Sequence, residues 1–138
     1  MRNGKCSLIF VLDKKGNVLL LNRQKEPALG TWCGVGGHIE NNETALQCAI
    51  RETKEETGII SNDIKVIGYY DKIKSFICYI ILDDLFYEMN IKIPVKMTDE
   101  GILSIKPLEW VLNEENQGIN KETLKSLNYV LKSIERNK

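Results

Sequence analysis

Three glutamates, Glu52, Glu55 and Glu56, lie close together in the middle of the chain. Residues three and four positions apart share one face of an α-helix, so a helix here would bring the three carboxylates side by side. Like charges at this spacing destabilise a helix, and acids just before Gly58 also lie at the negative end of the helix dipole. Carboxylates placed against helix stability are typical of a site for a hard divalent cation such as Mg²⁺ or Mn²⁺.

A glycine-rich segment, 34–37, precedes this acidic face and can bring backbone oxygens to it. The helix has small residues on its carboxylate side, at Ala45, Cys48 and Ala49, which would let a neighbouring backbone lie close. Carboxylates combined with a peptide carbonyl form a ligand set suited to Mg²⁺ or Mn²⁺. The alternative is a solvated glutamate-rich face, but that does not explain the terminal clustering, the small residues and the glycines together.

The composition indicates one globular domain, which we expect to span residues 1–138. Its 19 Lys and Arg balance 19 Asp and Glu, and 43% of the residues are hydrophobic. Polymeric nucleic acid and anionic membranes attract proteins with surplus positive charge, so neither is an expected partner. The four cysteines are widely spaced, and the apolar run near the start is too short for a signal peptide or a membrane span. We therefore expect a cytoplasmic protein that is a monomer or a homodimer.

The first half of the chain predicts two strands, a loop and a helix. Continuous apolar runs at 7–12 and 17–22 predict paired, well-buried strands joined by a turn at 13–16. Residues 23–37 break every period and predict a shaped loop. A helix is predicted over 44–57, where Thr44 can form a capping box with Gln47 and Gly58 can end the helix. Its predicted packing face consists of Leu46, Ile50, Thr53 and Thr57.

The second half predicts strands at 64–73 and 75–86, and then a long loop over 88–101 that carries Glu100. A last strand is predicted at 107–112. Asn120 can cap a final amphipathic helix, whose apolar face consists of Leu124, Leu127, Leu131 and Ile134. This order predicts an α/β (α+β) fold in which a mixed β-sheet is packed between helices.

Segment 37–59 resembles the signature of the Nudix hydrolase family, G-x5-E-x7-R-E-U-x-E-E-x-G-U, where U is a bulky aliphatic residue. All seven fixed positions are filled, by Gly37, Glu43, Arg51, Glu52, Glu55, Glu56 and Gly58. Ile59 fills the last U position, whereas Thr53 replaces the aliphatic residue at the first. The resemblance implies an α/β/α sandwich and a Mg²⁺-dependent attack of water on a nucleoside diphosphate linked to a further group.

The same resemblance implies roles for individual residues. Mg²⁺, for which Mn²⁺ is a possible substitute, would be bound by the carbonyl of Gly36 and by Glu52, Glu55 and Glu56. Arg51 would orient the glutamates, Glu43 would join the loop to the helix, and Gly37 and Gly58 would be structural. The general base is Glu52 or Glu55, and the sequence does not decide between them. Glu100 is a candidate metal ligand or base from a later loop, and a plain loop-tip acid is an equal alternative.

Segment 31–40 resembles the W-x-G-x-GG-K-x-E stretch of the MutT-like 8-oxo-dGTP diphosphatases within the family. It implies substrate contacts by Arg23, Trp32, Cys33, Gly37 and His38. Trp32 is either a wall on which a base stacks or a core residue, and Arg23 is a phosphate contact or a surface charge. Cys33 occupies the position of a base-reading asparagine in the human-type enzyme. His38 replaces the usual lysine, and it is either a phosphate or base contact or a plain surface histidine. The loss of an amide weakens the case for selection of oxidised guanine.

These features predict a nucleoside triphosphate pyrophosphohydrolase that releases a nucleoside monophosphate and pyrophosphate. The leading substrate is 8-oxo-dGTP or a related nucleotide, as in sanitisation of the nucleotide pool, and a small nucleotide is the expected partner. One alternative is a hydrolase of another nucleoside diphosphate derivative, such as a nucleotide sugar or a dinucleotide. The other is a ligand sensor with a Nudix fold and no catalysis. Such sensors usually lose one or more of the glutamates, all of which this chain retains.

Overall fold

A mixed β-sheet is the centre of the structure, a computed structural model that describes residues 4–25, 29–113 and 118–137. Its strands are β1 (Cys6–Asp13), β2 (Asn17–Arg23), β3 (Trp32–Cys33), β4 (Val35–His38), β5 (Lys65–Tyr70), β6 (Ser75–Leu82), β7 (Val95–Met97) and β8 (Gly101–Pro107). The helices are α1 (Ala45–Thr57), α2 (Leu85–Glu88), α3 (Leu108–Val111) and α4 (Lys121–Arg136). The main sheet order is β5-β6-β1-β2-β8-β7. Four segments of the predicted 1–138 domain, 1–3, 26–28, 114–117 and 138, lie outside the described residues.

The centre of the sheet is buried on both faces, which explains the continuous apolar runs in β1 and β2. Ile9 and Val11 belong to a core cluster with Ala49 of α1. Phe10 alternates with them and belongs to a second cluster with Leu127 of α4. The strands predicted at 7–12 and 17–22 and the predicted packing of a mixed sheet between helices are therefore confirmed.

The hairpin strands β1 and β2 pair over only part of their length and then diverge. Their recorded pairs are Val11 with Leu19 and Leu12 with Val18. Farther from the turn, Cys6–Ile9 of β1 pairs with β4, and the end of β2 pairs with β3. The expected loop over 23–37 is thus wrong for residues 32–33 and 35–37, which lie in the two short strands.

The glycines concealed these two strands, because they interrupt the side-chain pattern by which a strand is predicted. Gly36 is required by the close pairing with β1, since a Cβ atom there would lie 2.1 Å from the carbonyl oxygen of Ser7. The segment is therefore rich in glycine because it packs closely, and it forms sheet as well as loop.

Helix α1 has the predicted ends. The Thr44 side chain accepts a hydrogen bond from the Gln47 N–H, the Gln47 side chain accepts one from the Thr44 N–H, and Gly58 adopts the left-handed conformation at φ 80°. The predicted packing face is partly wrong, because Leu46 is 38% exposed. Cys48 and Ala49 are fully buried in its place, together with Thr53. Small side chains face β4 because they allow the helix and the strand to approach closely.

Strands β5 and β6 pair antiparallel, and β6 also pairs with β1 in parallel. Strand β5 ends at Tyr70, so the predicted strand over 64–73 is too long, because Asp71–Ile73 forms a short 3-10 helix. Strand β6 ends at Leu82, so the predicted strand over 75–86 is too long, and α2 follows it. Strand β7 lies within the expected loop 88–101. The last strand is Gly101–Pro107, and the predicted strand at 107–112 is wrong, because Leu108–Val111 is helical. Val111 and Trp110 of this turn pack into the second cluster, so the apolar run reflects a buried helix.

Helix α4 begins as predicted, where the Asn120 side chain accepts a hydrogen bond from the Glu122 N–H. Leu127 and Val130 are fully buried, and Leu131 and Ile134 pack beside them. Within the described ranges, no helix has the length and apolar character needed to cross a membrane.

Candidate active site

A cavity of about 420 Å³ lies where β1 and β2 diverge, beneath the end of α1. Its lining residues are Cys6, Ser7, Leu8, Leu21, Arg23, Cys33, Gly34, Gly36, Gly37, His38, Glu40, Glu52, Glu56, Ser75 and Glu100. The set joins the acidic end of the helix to the glycine segment, which was the juxtaposition expected from the sequence. It also joins both to Arg23 at the end of β2.

Glu56 lies at the bottom of this cavity with its negative charge poorly compensated. Its carboxylate accepts a hydrogen bond from the Gly36 backbone N–H. Its Oε2 atom is buried and has no hydrogen-bond partner among the described residues. Burial raises the pKa of Glu56 to about 8, and the nearby charges of Glu52 and Glu100 act in the same direction. A buried carboxylate in this state favours a proton or a cation.

Glu52 is the second partly buried carboxylate, with a side chain that is 14% exposed. It lies against Gly37, where a Cβ atom would come within 2.4 Å of Glu52 Oε1. Burial raises the pKa of Glu52, although the neighbouring Arg51 guanidinium acts in the opposite direction. The absence of a side chain at position 37 therefore sets where this carboxylate can lie.

Arg51 connects the loop before α1 to the acidic face. Its Nε and Nη2 atoms donate to the two carboxylate oxygens of Glu43, at 2.7 and 2.9 Å. Nη1 donates to Glu52 Oε1 at 2.8 Å, and Nη2 also donates to the carbonyl of His38 at 3.0 Å. Glu43 accepts a further hydrogen bond from the Glu40 N–H at 3.0 Å. One guanidinium thus holds the loop, β4 and a cavity carboxylate together.

The other two candidate acids differ in position. Glu55 is 57% exposed at its side chain, does not line the cavity and lies 3.4 Å from Arg51 Nη1. Glu100 precedes β8, lines the cavity and adds negative charge beside Glu56. Gly101, the next residue, must be glycine because a Cβ atom there would lie 2.2 Å from the Asn22 carbonyl oxygen.

The carboxylates of the site show whether a divalent cation would fit there. In the described part of the chain, no three acidic, cysteine or histidine side chains already converge as a complete metal site. The Oε2 atom of Glu56 nevertheless has no partner among the residues that the structure describes, and burial together with the nearby acids raises the pKa of this carboxyl, so its ionised form would be stabilised by a divalent cation. Glu52, Glu56 and Glu100 line the same cavity and could hold such an ion, whereas Glu55 does not line it.

The predicted substrate contacts separate into two groups. Arg23, Cys33, Gly37 and His38 line the cavity. Trp32 does not, because its ring packs edge to face on Trp110, with centroids 6.0 Å apart, in the second core cluster. Adjacent residues of a strand point to opposite faces of the sheet, so Cys33 faces the cavity and Trp32 faces the second core cluster. The base-stacking role of Trp32 stays a prediction.

Sequence reasoning missed the contribution of β1 and β6 to the cavity. Cys6, Ser7 and Leu8 line it, as does Ser75 at the start of β6. The Sγ atom of Cys6 lies 3.4 Å from His38 Nδ1, and the Ser7 hydroxyl donates to the Ala45 carbonyl at 2.8 Å. A polar Ser7 at the start of an apolar run was the available signal. Its meaning depends on the pairing of β1 with β4, which a sequence does not display.

Comparison with known proteins settles the family, because the NUDIX domain model matches residues 3–129. The chain belongs to the Nudix family. The resemblance carried by segment 37–59 is therefore confirmed at the level of the family.

Individual Nudix relatives differ in the substrates that they are named for. The chain is 35% identical over 60 residues to an ADP-ribose pyrophosphatase of Methanocaldococcus jannaschii, which covers 44% of this chain and 36% of the relative. It is 26% identical over 84 residues to the 8-oxo-dGDP phosphatase NUDT18 of Mus musculus, which covers 59% of this chain and 26% of the relative. The chain therefore spans about a third of the length of the first of these relatives and about a quarter of the second.

A solved Nudix structure supports the fold over nearly the whole chain. The mutT/nudix family protein from Listeria innocua superposes with a TM-score of 0.73 at 22% identity, covering 99% of this chain and 97% of that one. At this identity the likeness shows the shared fold.

Proposed function

We propose that this Nudix chain, as a single domain of residues 1–138, is a metal-dependent hydrolase of phosphoanhydride bonds in small nucleotides. The observation that carries the proposal is the unpartnered Glu56 Oε2 beside Glu52, in a cavity that also contains Arg23. Two carboxylates that need a cation and one arginine that favours an anion, in the same cavity, suit a metal–polyphosphate complex.

Mg²⁺, or Mn²⁺ in its place, would be held by Glu52 and Glu56 together with the Gly36 carbonyl, and Glu55 or Glu100 would complete the set. In an extended strand, the N–H and C=O of one residue point to the same side, so the Gly36 carbonyl lies on the side where its N–H meets Glu56. When bound, such an ion neutralises charge on the phosphate oxygens and lowers the pKa of the attacking water.

The protein side chains would bind and orient the substrate and move one proton. Arg23 binds phosphate oxygens at the cavity wall. Glu52 or Glu55 accepts the proton of the attacking water. Because Glu55 is exposed, it could act either as this base or as a metal ligand. Arg51 acts as a positioning residue, since it contacts Glu52 and is held by both oxygens of Glu43.

The proposed reaction converts a nucleoside triphosphate to a nucleoside monophosphate and pyrophosphate, with 8-oxo-dGTP as the leading substrate. Support comes from the MutT-like segment 31–40 and from the relative named as an 8-oxo-dGDP phosphatase. We also propose that the enzyme acts in the cytoplasm on small nucleotides, as a monomer or homodimer. The four cysteines, each within the described ranges, form no disulfide bonds, as this compartment favours.

Cys33 favours a second candidate substrate, a nucleoside diphosphate linked to another group. Burial raises the pKa of the Cys33 thiol to about 11, so this cavity residue is neutral and only weakly hydrogen-bonding. Beside Leu21 and Leu8 it forms an apolar part of the wall with no amide to read an oxidised base. ADP-ribose, for which one of the relatives is named, belongs to this second class of substrates.

A nucleotide panel with Mg²⁺ tests both substrates. We would measure pyrophosphate and phosphate release from 8-oxo-dGTP, dGTP, ADP-ribose and a dinucleoside polyphosphate. The wild type would be compared with Glu55→Gln, Glu56→Gln and the control Glu135→Gln, an exposed glutamate of α4. We expect the Glu56 variant to lose at least about 100-fold in rate and the control to lose none.

Two results would contradict the proposal. Glutamine variants with full activity would remove the glutamates from catalysis. A wild type that binds a nucleotide tightly but hydrolyses none would instead support the non-catalytic sensor.

A further inference from the structure

A second cavity, of about 230 Å³, lies between the end of β5 and helix α4. Among the described residues it shares no lining residue with the candidate active site. Its lining residues are Tyr69, Tyr70, Ile77, Lys125, Ser126 and Tyr129. Aromatic residues, a small hydroxyl and one ammonium group therefore surround a space that the proposed hydrolase reaction does not use.

The position of Tyr129 in α4 depends on Gly68 in strand β5. A Cβ atom at Gly68 would lie 2.9 Å from Tyr129 Oη, so a larger residue would displace the ring. The register of β5 and β6 shifts between Val66 and Gly68, and the extra residue, Ile67, accepts a hydrogen bond from Tyr129 Oη at 3.0 Å. A bulge and a glycine thus place this ring at the cavity.

On the other side of the cavity, Tyr70 and Ser126 are held by hydrogen bonds to Glu122 of α4. Tyr70 donates its hydroxyl hydrogen to the Glu122 carboxylate, which also pairs with Lys72 Nζ at 3.2 Å. Ser126 donates to the Glu122 carbonyl at 2.8 Å, and its small buried side chain leaves room beside the tyrosines. Since these hydroxyls are engaged within the protein, the cavity offers a ligand mainly aromatic surface and the Lys125 ammonium.

A basic groove of about 420 Å³ continues from this cavity along α4, with Lys125 and Tyr129 common to both. It is lined by Lys125, Asn128, Tyr129, Lys132 and Arg136. Glu135 lines the adjoining surface beside Lys132 and Arg136 and is the acid that faces them. The Glu122 carboxylate also lies near Lys125, which helps to lower the pKa of Glu122. Three cations against two carboxylates leave a small local positive charge in a chain whose net charge is zero.

We propose that the cavity and the groove together form a binding site for a mononucleotide, separate from the candidate active site. The base contacts the rings of Tyr70 and Tyr129, and the phosphate lies at Lys125 and Lys132. Arg136, farther along α4, adds positive charge to the same groove. Stacking on aromatic rings binds any base, while cations bind the phosphate, and the two chemistries meet here at Lys125. This assignment does not depend on the hydrolase activity proposed above.

The test is a titration of the intact, isotope-labelled chain with AMP in the presence of EDTA, followed by amide chemical shifts. Shifts are expected at Tyr70, Ser126 and Tyr129. The double variant Lys125→Glu/Lys132→Glu should raise the Kd at least about tenfold, since each phosphate contact is charge-assisted. Lys121→Glu is the matched control, because it reverses an exposed charge on the same helix outside the groove, and it should change the Kd less than about twofold.

Separate probes for the two parts of the ligand complete the test. Adenosine and inorganic phosphate should each bind more weakly than AMP, because each makes half of the contacts. Phosphate that binds as tightly as AMP would reduce the site to general charge attraction and overturn the proposal. AMP shifts confined to Cys33, Gly37 and their neighbours, or a double variant with unchanged affinity, would also overturn it.

Discussion

The backbone of Gly37 lies against the carboxylate of Glu52, so close that a Cβ atom at position 37 would come within 2.4 Å of Glu52 Oε1. The close packing of strand β4 on helix α1 therefore depends on the missing side chain of Gly37. It also determines where the carboxylate of Glu52, a candidate metal ligand, can lie. The consequence for function can be measured directly.

Gly37→Ala should displace the Glu52 carboxylate and reduce hydrolysis of the best nucleotide by about 100-fold, as misplacement of a reacting group by about 1 Å can do. The measurement is kcat and KM in Mg²⁺. Gly16→Ala is the control, since Gly16 has a φ of +83° in open space. That variant should lose about 1–2 kcal/mol of stability and keep its activity. Equal activity in both variants would show that Gly37 does not position Glu52.

Arg51→Lys should lower both stability and activity, because a lysine cannot replace the paired hydrogen bonds to Glu43 while also reaching Glu52. Hydrogen bonds to charged groups contribute about 1.5–3 kcal/mol, and this loss should appear in urea unfolding. The exposed Lys54 of the same helix supplies the control, as Lys54→Ala should change stability by less than about 0.5 kcal/mol. A normal kcat in the Arg51→Lys variant would limit Arg51 to a structural role.

The stability of the metal-free chain should fall as the pH rises. Glu56 has a pKa of about 8 in the folded chain against an ordinary value of 4.5, so between these values the folded state holds a proton that the unfolded state has released. This contribution is complete below about pH 4.5 and is lost as the pH rises through about 8. The raised pKa of Glu52 acts in the same direction.

Urea unfolding in EDTA across this pH range measures the effect. Glu56→Gln should flatten the decline, and Glu135→Gln should leave it unchanged. A wild type whose free energy of unfolding rises across the same range would contradict the burial of Glu56.

Thr44→Ala tests the start of α1 separately from the chemistry. The hydrogen bond that the Thr44 side chain accepts from the Gln47 N–H, at 3.1 Å, would be lost. Loss of an N-cap costs about 1 kcal/mol, so thermal unfolding should occur at a lower temperature while kcat per folded molecule is retained. Thr44→Ser should restore the stability. If kcat falls in the alanine variant as far as in Gly37→Ala, the start of the helix also controls the site.

Cys33→Asn tests base recognition, because it introduces an amide at the cavity wall where the thiol is neutral. If this position faces the base, the ratio of 8-oxo-dGTP to dGTP turnover should rise by about 10-fold, the value of one to two well-placed hydrogen bonds. Cys33→Ser serves as a size-matched polar control. An unchanged ratio in both variants would place base recognition elsewhere in the cavity.

The sequence alone determined the features that depend on neighbours along the chain. Helix α1, with its Thr44 and Gly58 ends, followed from capping chemistry and from the 3.6-residue repeat. The family followed from seven residues within segment 37–59, because they lie in one continuous stretch that runs from β4 through α1 to Gly58. Strands β1 and β2 could be predicted because they are buried on both faces and are therefore apolar throughout.

Only the tertiary structure decided which distant residues meet. The pairing of β1 with β4 brings Cys6 to His38, and the turn before β8 brings Glu100 toward Glu56. The opposite orientations of Trp32 and Cys33 could not be predicted, because the nearby glycines conceal the short strand in which both residues lie. Likewise Leu46 was expected in the core and is exposed, because close approach of β4 buries the small residues of the helix. Local pattern specifies what a segment becomes, whereas long-range packing specifies what it contacts, and the latter determines the chemistry of the site.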